Sequence, residues 1–348
     1  MNFYIIKILL LSSLSFATAI ALTPIMTHFL YKYKLGKSIR NSGLTPIFSK
    51  IHAGKAGTPT MGGIIIWGTV LLFSLVFSIL PLIFDSEILT RLNFLSRSET
   101  LMPLGILVAS ALAGLFDDWL DVRGKGVFGG GGLTIKHRLL VYAVIAAIGA
   151  WWFYFKLGWD TFRIPFIGTF ELGWLYIPVF IIVIVSTAFS VNETDGLDGL
   201  AGGVLVSSFM SYGVIAFLRG QYDLATFCGV IVGALLSFLW FNINPAKFFM
   251  GDTGAMSLGV TLGVMAMFTN TQLILPIIGS VFVFESLSVI IQLTSKRLRG
   301  KKVFHSSPIH HHFEAIGWSE PRIVMRFWVI AQISAAMGLV IFLLDKSL

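Results

Sequence analysis

The sequence predicts an all-α, polytopic integral membrane protein of about ten transmembrane helices. Three observations carry that expectation. Of the 348 residues, 56% are apolar and 12% charged, whereas soluble domains run near about 45–50% and about 25%. Apolar runs of spanning length recur from one end of the chain to the other, with short connections between them. Lys and Arg crowd alternate connections, as they do on the cytoplasmic side of membrane proteins.

The runs are residues 4–30, 61–84, 101–116, 139–155, 174–191, 200–218, 224–241, 255–268, 273–294 and 323–344. A helix needs about 17–25 apolar residues to cross a bilayer, and two of the runs are short for it. Within the first, Ala17-Thr18-Ala19 resembles a signal-peptide cleavage site. The apolar stretch continues past it, and the basic cluster follows the run instead of preceding it, so it reads as a span. No soluble domain and no repeat interrupts the series, so residues 1–348 form a single integral membrane domain. Cys228 has no partner, which excludes disulfides.

Orientation follows from the connections. The one after the first run carries Lys32, Lys34, Lys37, Arg40, Lys50 and Lys55. The one after the third carries Arg123, Lys125, Lys136 and Arg138, and the one after the ninth Lys296, Arg297, Arg299, Lys301, Lys302 and Arg322. The even connections hold only Arg91 and Arg97, Lys156 and Arg163, and Arg219. Odd spans therefore end in the cytoplasm and both termini are extracytoplasmic. The formal charge of +8 has the same origin. It does not point to nucleic acid, because the basic residues flank hydrophobic spans. The glycine run "GVFGGGG" at 126–132 reads as a flexible connection, since no Walker pattern follows it.

Parity also decides which polar segments can meet. "KAGTPTMGG" at 55–63, the acids Asp117 and Asp118, "NETDGLDG" at 192–199, "FNINPAKFFMGDTG" at 241–254 and "HSSPIHHHFE" at 305–314 all fall on the cytoplasmic face. Asp117, Asp118, Asp195, Asp198 and Asp252 can then gather near one point. Such a cluster repels itself unless it is protonated or binds a cation. Oxygen-only ligands suit Mg2+ or Mn2+, and Mg2+ usually shares one or two carboxylates with substrate phosphates. That pattern predicts a phosphoryl-transfer site.

For Asp121, Glu193 and Glu320 the plainer reading is an acid capping a span at the interface. Lys55 has two readings, a determinant of orientation or a site residue. Phe248 and Phe249 could anchor at the interface or stack on a base. The adjacent His310, His311 and His312 lack the one-face spacing of zinc ligands and suit anion contacts. Glu285 and Gln292 lie inside the ninth span; Glu285 is read as pairing within the bundle.

Together "TPTMGG", "FDDW", "NETDGLDGLAGG", "WFNINPAKFFMGDTG", "FVFE" and "PIHHHFEAIGWSEPRIVMRFW" resemble the phospho-N-acetylmuramoyl-pentapeptide-transferase (MraY) family, within the polyprenyl-phosphate N-acetylhexosamine-1-phosphate transferase superfamily. The likeness runs from Lys55 to Trp328. It implies a dimeric enzyme of the bacterial inner membrane. Such an enzyme moves the phospho-sugar of UDP-N-acetylmuramoyl-pentapeptide onto undecaprenyl phosphate with Mg2+, giving lipid I and UMP.

By the same resemblance Asp252 is the metal ligand and Asp117, Asp118 and Asp252 are catalytic. It also implies that Lys55, Thr60, Asn192, Asp195, Asp198, Phe249, Gln292, His310 and His311 line the substrate pocket, with Phe249 on the uracil. Departures from the family pattern are Phe189, Ser190 and Glu193 in "FSVNETDGLDG", Ala255 in "GDTGA", and Arg138 near an expected lysine. Two alternatives remain: a transferase for another N-acetylhexosamine 1-phosphate, and an ion-coupled transporter. A transporter places its charges near the membrane midplane, whereas these lie at one edge.

Overall fold

Each apolar run becomes a helix because lipid leaves backbone polar groups no partner outside their own segment. In the computed structural model the long helices are α1 (Asn2–Lys32), α2 (Gly63–Ile83), α3 (Leu101–Val122), α4 (Ile135–Trp151), α5 (Tyr176–Thr194), α6 (Leu200–Leu218), α7 (Tyr222–Asn242), α8 (Gly251–Phe268), α9 (Ser280–Arg299) and α10 (Glu320–Ser347). The described residues are 1–36, 55, 57–96, 99–124 and 132–347, with side chains described to residue 345. Lys37, Arg40, Lys50, Arg97, Lys125 and the glycines of 126–131 lie outside them.

Among the described residues, eight helices are long and apolar enough to cross a membrane. α8 and α9 are not among them, for different reasons. α8 carries Asp252, Thr253, Ser257 and Thr261, and every one of its residues is buried. It faces protein instead of lipid and needs no apolar exterior. α9 ends in Lys296, Arg297 and Arg299. It also starts later than the ninth apolar run: a short helix Leu275–Ile278 comes first, and Gly279 separates the two. α3, α5 and α8 each reach further toward the polar segments than the apolar runs do. Asp117, Asp118, Asn192 and Asp252 therefore sit on helical turns and not in loops.

α8 is the centre of the bundle and packs on α2, α3, α5 and α6. Small residues make this possible, as is usual between helices in lipid. A β-carbon added to Gly114 would stand 2.3 Å from the carbonyl oxygen of Asp252, so α3 touches the start of α8 backbone to backbone. Thr253 Oγ1 donates to the carbonyl of Ala111 at 2.9 Å and accepts from Trp67 Nε1 at 3.1 Å, tying α8 to α3 and α2. α1 packs on α7, where Ser15 Oγ donates to the Val230 carbonyl at 2.8 Å. The outward faces carry large apolar side chains such as Leu140, Ile148, Met325 and Ile333, as a lipid-facing surface requires.

At the end of the bundle away from the acidic segments, Lys7 of α1 pairs with Asp223 at 3.0 Å and Arg163 with Asp345 at 2.6 Å. The all-α expectation holds, with one short non-helical element at this end. Thr161–Ile164 and Gly168–Glu171 form an antiparallel hairpin, β1–β2. Arg163 N–H also donates to Asn270 and Phe166 N–H to Asp345, which holds the hairpin against the helix ends.

The contact at Gly114 is testable. Gly114→Ala should destabilise the protein by about 1–3 kcal/mol, the usual cost of overpacking. Gly105→Ala, on the same helix with nothing within 4 Å of the added carbon, should be neutral or stabilising. Thermal unfolding of the two variants in detergent makes the comparison.

Candidate active site

The last turn of α3 presents its acids in two directions. Asp117 and Asp121 are four residues apart and share a helix face. Asp117 Oδ1 accepts from the Leu133 N–H, and Asp121 Oδ1 accepts from the Gly132 N–H at 3.1 Å. Asp121 is therefore buried and bonded to backbone, not an interface cap. Asp118 points toward α8. Its Oδ1 accepts from Thr60 Oγ1 at 3.2 Å and the Asp252 N–H at 3.0 Å, and its Oδ2 accepts from the Thr253 N–H at 3.0 Å. The first amides of a helix have no partner within it. Asp118 supplies that partner from another helix, with its charge at the favourable end of the α8 dipole. Gly251 fits between: its φ is +74°, and a β-carbon there would lie 2.5 Å from Thr60 Oγ1 and 2.6 Å from Asp118 Oδ2.

Asp252, so fixed, meets a second set of partners. Asn192 Nδ2 donates to its Oδ1 at 2.6 Å, and Arg138 Nη2 donates to its Oδ2 at 2.7 Å. Arg138 Nη1 donates to Asn192 Oδ1 at 3.0 Å. Arg138 Nε stands 2.7 Å from Asp117 Oδ2, an ion pair without hydrogen-bond alignment. One guanidinium from the first turn of α4 thus lies between two carboxylates from α3 and α8. A cationic group is already where the sequence requires a positive charge. The donors are oxygens, which suits a hard cation such as Mg2+. Among the described residues no group of three or more His, Cys, Asp or Glu could hold a metal. A cation here would take one or two carboxylates and complete its shell with water or phosphate oxygens.

A second network adjoins the first through the 55–63 segment. Lys55 Nζ pairs with Asp198 Oδ1 at 2.6 Å and Glu320 Oε1 at 2.5 Å. Asn244 Nδ2 donates to Asp198 Oδ2 and Glu320 Oε2, and Glu320 Oε1 accepts from the Asp198 N–H. Glu320 lies in the first turn of α10, and its carboxylate belongs to this network. The Lys55 ammonium lies 5.8 Å from the centre of the Phe249 ring. Phe248 is buried against Phe238 and Phe241, while Phe249 is only partly buried. Of the two phenylalanines, only Phe249 has a face left for a ligand.

The histidines form a third group on the helix Ile309–Ala315. His310 is buried, with Nδ1 2.9 Å from Glu285 Oε2 and Nε2 against Gly196. Burial alone lowers an imidazole pKa, but the Glu285 carboxylate outweighs it and His310 is raised above its ordinary value. Glu285 thus pairs within the bundle, as the sequence suggests. His311 Nδ1 is 2.6 Å from Glu314 Oε2, and His312 stacks on His305. Asp195, at the end of α5, sits next to Gly196, so the 192–199 segment connects the acidic cluster to the histidines.

Gln292, in α9, is bonded to the turn that follows the helix. Its Oε1 accepts from the Val303 and Phe304 N–H groups, and its Nε2 donates to the Phe304 carbonyl. Its amide is spent on holding the 303–304 turn. The site residues that sequence reasoning undervalued are Arg138, Glu320 and Tyr142. Tyr142 follows Arg138 by one turn, and its buried hydroxyl has no hydrogen-bond partner among the described residues. A basic residue opening a membrane helix reads as an orientation signal, which conceals its pairing.

Comparisons with known proteins cover the same residues. The Glycosyl transferase family 4 model matches residues 100–270, which hold the acids of α3 and α8. Phospho-N-acetylmuramoyl-pentapeptide-transferase signature 1 matches residues 55–66, which hold Lys55 and Thr60. The phospho-N-acetylmuramoyl-pentapeptide-transferase of Shouchella clausii (strain KSM-K16) is 42% identical over 335 residues, covering 94% of this chain and 95% of that protein. Those of Geobacillus thermodenitrificans (strain NG80-2) and Bacillus thuringiensis (strain Al Hakam) are 39% identical over 338 residues and 40% over 342, each covering 96% of this chain and 97% of the relative.

Two predictions follow from the geometry. Asp118→Ala strands two backbone amides at the start of α8, a loss of about 1–3 kcal/mol; faster hydrogen exchange at residues 252–253 should accompany the lowered melting temperature. The His310–Glu285 pair has a pH signature. Because His310 is raised in the folded state, its contribution is complete below about pH 6.5 and is lost as pH rises through the elevated value. The melting temperature of the wild type should fall across that rise more than that of Glu285→Gln.

Proposed function

The chain belongs to the phospho-N-acetylmuramoyl-pentapeptide-transferase family, and from that premise we propose that it transfers phospho-N-acetylmuramoyl-pentapeptide from the UDP-linked donor to undecaprenyl phosphate, giving lipid I and UMP. It is a multi-pass protein of the bacterial membrane. The observation that carries the proposal is the meeting of Asp117, Asp252, Asn192 and Arg138 at one end of the bundle. The Lys and Arg distribution puts that end in the cytoplasm, where a UDP-sugar is available. Assembly as a homodimer is part of the same proposal.

The reaction forms a P–O bond from an oxygen of the acceptor phosphate to the phosphorus bearing the sugar. It breaks the bond from that phosphorus to the UMP oxygen. The chemistry needs positioning and neutralised charge more than covalent help from the protein. Asp252 is the residue that would hold Mg2+, which supplies charge neutralisation on the diphosphate and the departing UMP. Asn192, bonded to Asp252 and Arg138, orients both. Asp117, paired with Arg138, would be the base toward the acceptor phosphate; a phosphate monoester ionises a second time near pH 6, so its contribution is modest. The acceptor already carries a competent nucleophile, which favours direct attack over a phospho-sugar intermediate on aspartate. Lys55 and Phe249 would flank the nucleotide, the ring stacking on uracil.

The reading is tested with purified protein, undecaprenyl phosphate and Mg2+, scored for lipid-linked product and UMP. UDP-N-acetylmuramoyl-pentapeptide should be consumed and UDP-N-acetylglucosamine should not; the reverse preference would move the protein to the other branch of the superfamily. Asp252→Ala should reduce UMP release by about 10²-fold or more in protein that unfolds at or near the wild-type temperature. Unchanged release would contradict the assignment.

A further inference from the structure

We propose that Arg138 is a resident counter-cation that occupies the metal position between Asp117 and Asp252, so that a divalent cation binds tightly only together with a nucleoside diphosphate. The proposal rests on the reading of Asp252 as the metal-binding residue.

Two carboxylates from different helices that meet in a mostly buried site, as Asp117 and Asp252 do, repel each other unless a positive charge stands beside both. Here that charge comes from the protein. The Arg138 guanidinium stands 2.7 Å from Asp117 Oδ2 and 2.7 Å from Asp252 Oδ2. The other Asp252 oxygen accepts from Asn192 at 2.6 Å, and Asn192 in turn accepts from Arg138. Both oxygens of the expected metal ligand are therefore engaged. A divalent cation reaching Asp252 must displace the guanidinium, and the two cations also repel each other at this separation.

A diphosphate changes that balance. It adds negative charge to the site and offers the guanidinium a planar, bidentate partner in place of the carboxylates. Features of the site suit such an exchange. The Arg138–Asp117 pair lacks hydrogen-bond alignment, so it is held by charge rather than by directed bonds. The Arg138 side chain keeps some exposure while that of Asp117 has none, so an incoming ligand meets Arg138 first. Tyr142, one turn along α4, has a buried hydroxyl without a hydrogen-bond partner among the described residues and lies within electrostatic reach of Asp252, Asp117 and Arg138. That donor is available to the cluster when the guanidinium moves.

The test measures Mn2+ binding to the detergent-purified protein by the electron paramagnetic resonance signal of free Mn2+, with and without UDP. In the wild type, UDP should tighten Mn2+ binding by about tenfold or more, as expected for relief of a neighbouring charge. Arg138→Gln should bind Mn2+ about tenfold more tightly than wild type without UDP and gain little from adding it. Arg138→Lys, which keeps the charge but loses the fork, should fall between them and carries the test should Arg138→Gln not fold. Equal wild-type affinity with and without UDP, together with no tightening in either variant, would overturn the proposal. Asp252→Asn separates the two readings. Loss of Mn2+ binding in that variant with no effect at Arg138 overturns the counter-cation alone. Retained binding overturns the metal assignment and the proposal with it.

Discussion

Asp118 spends its carboxylate on the first amides of α8, and the geometry of the site depends on that bond. α8 is buried along its whole length, so its free N–H groups have no water to turn to. An ionised acid from α3 satisfies them and adds its charge to the dipole of the helix. The close approach at Gly114 sets the distance between the two helices, and Gly251 leaves room for Thr60 beside the cap. Asp252 then has no freedom to drift. The adjacent acids Asp117 and Asp118 consequently have different tasks. Asp118 holds the start of α8, and Asp117, besides holding the Leu133 amide, meets Asp252 and Arg138.

The same division runs through the other networks. Lys55, Asp198, Asn244 and Glu320 lock the segment before α2 to the starts of α6 and α10. Gln292 locks the turn leading to the histidines. Polar side chains at this end of the bundle thus mostly hold other elements in place, and few face a ligand directly. Phe249 and the Asp117–Arg138–Asp252 group are the parts best placed to meet substrate.

Much of this was legible before any coordinates. Helix parity alone brings 55–63, 117–118, 192–199, 241–254 and 305–314 to one end; hydrogen bonds join the first four there, and His310 of the fifth packs against Gly196. The apolar runs locate the helices but not their ends, because the functional turns of α3, α5 and α8 are polar and lack the signal that marks a span. Hence Asp117, Asn192 and Asp252 read as loop residues and are helical. Pairing was the least legible feature. Nothing in a basic connection distinguishes Arg138, which crosses to two carboxylates, from Lys136 beside it. Likewise Glu320 reads as a helix cap, and only the fold brings Lys55 to it. The hairpin between α4 and α5 was missed because Phe162, Ile164 and Phe170 blend into the apolar background of the neighbouring spans.

The central claim is that one oxygen site at Asp252 receives a divalent cation beside the displaced Arg138 guanidinium. Anomalous diffraction from crystals grown with Mn2+ and UDP tests it most directly. The account predicts a Mn2+ peak in the first coordination shell of the Asp252 carboxylate, with the guanidinium turned away from Asp252 toward the diphosphate. A peak at Lys55, Asp198 or the histidines, or an Arg138 still bridging Asp117 and Asp252 with metal bound elsewhere, would contradict it.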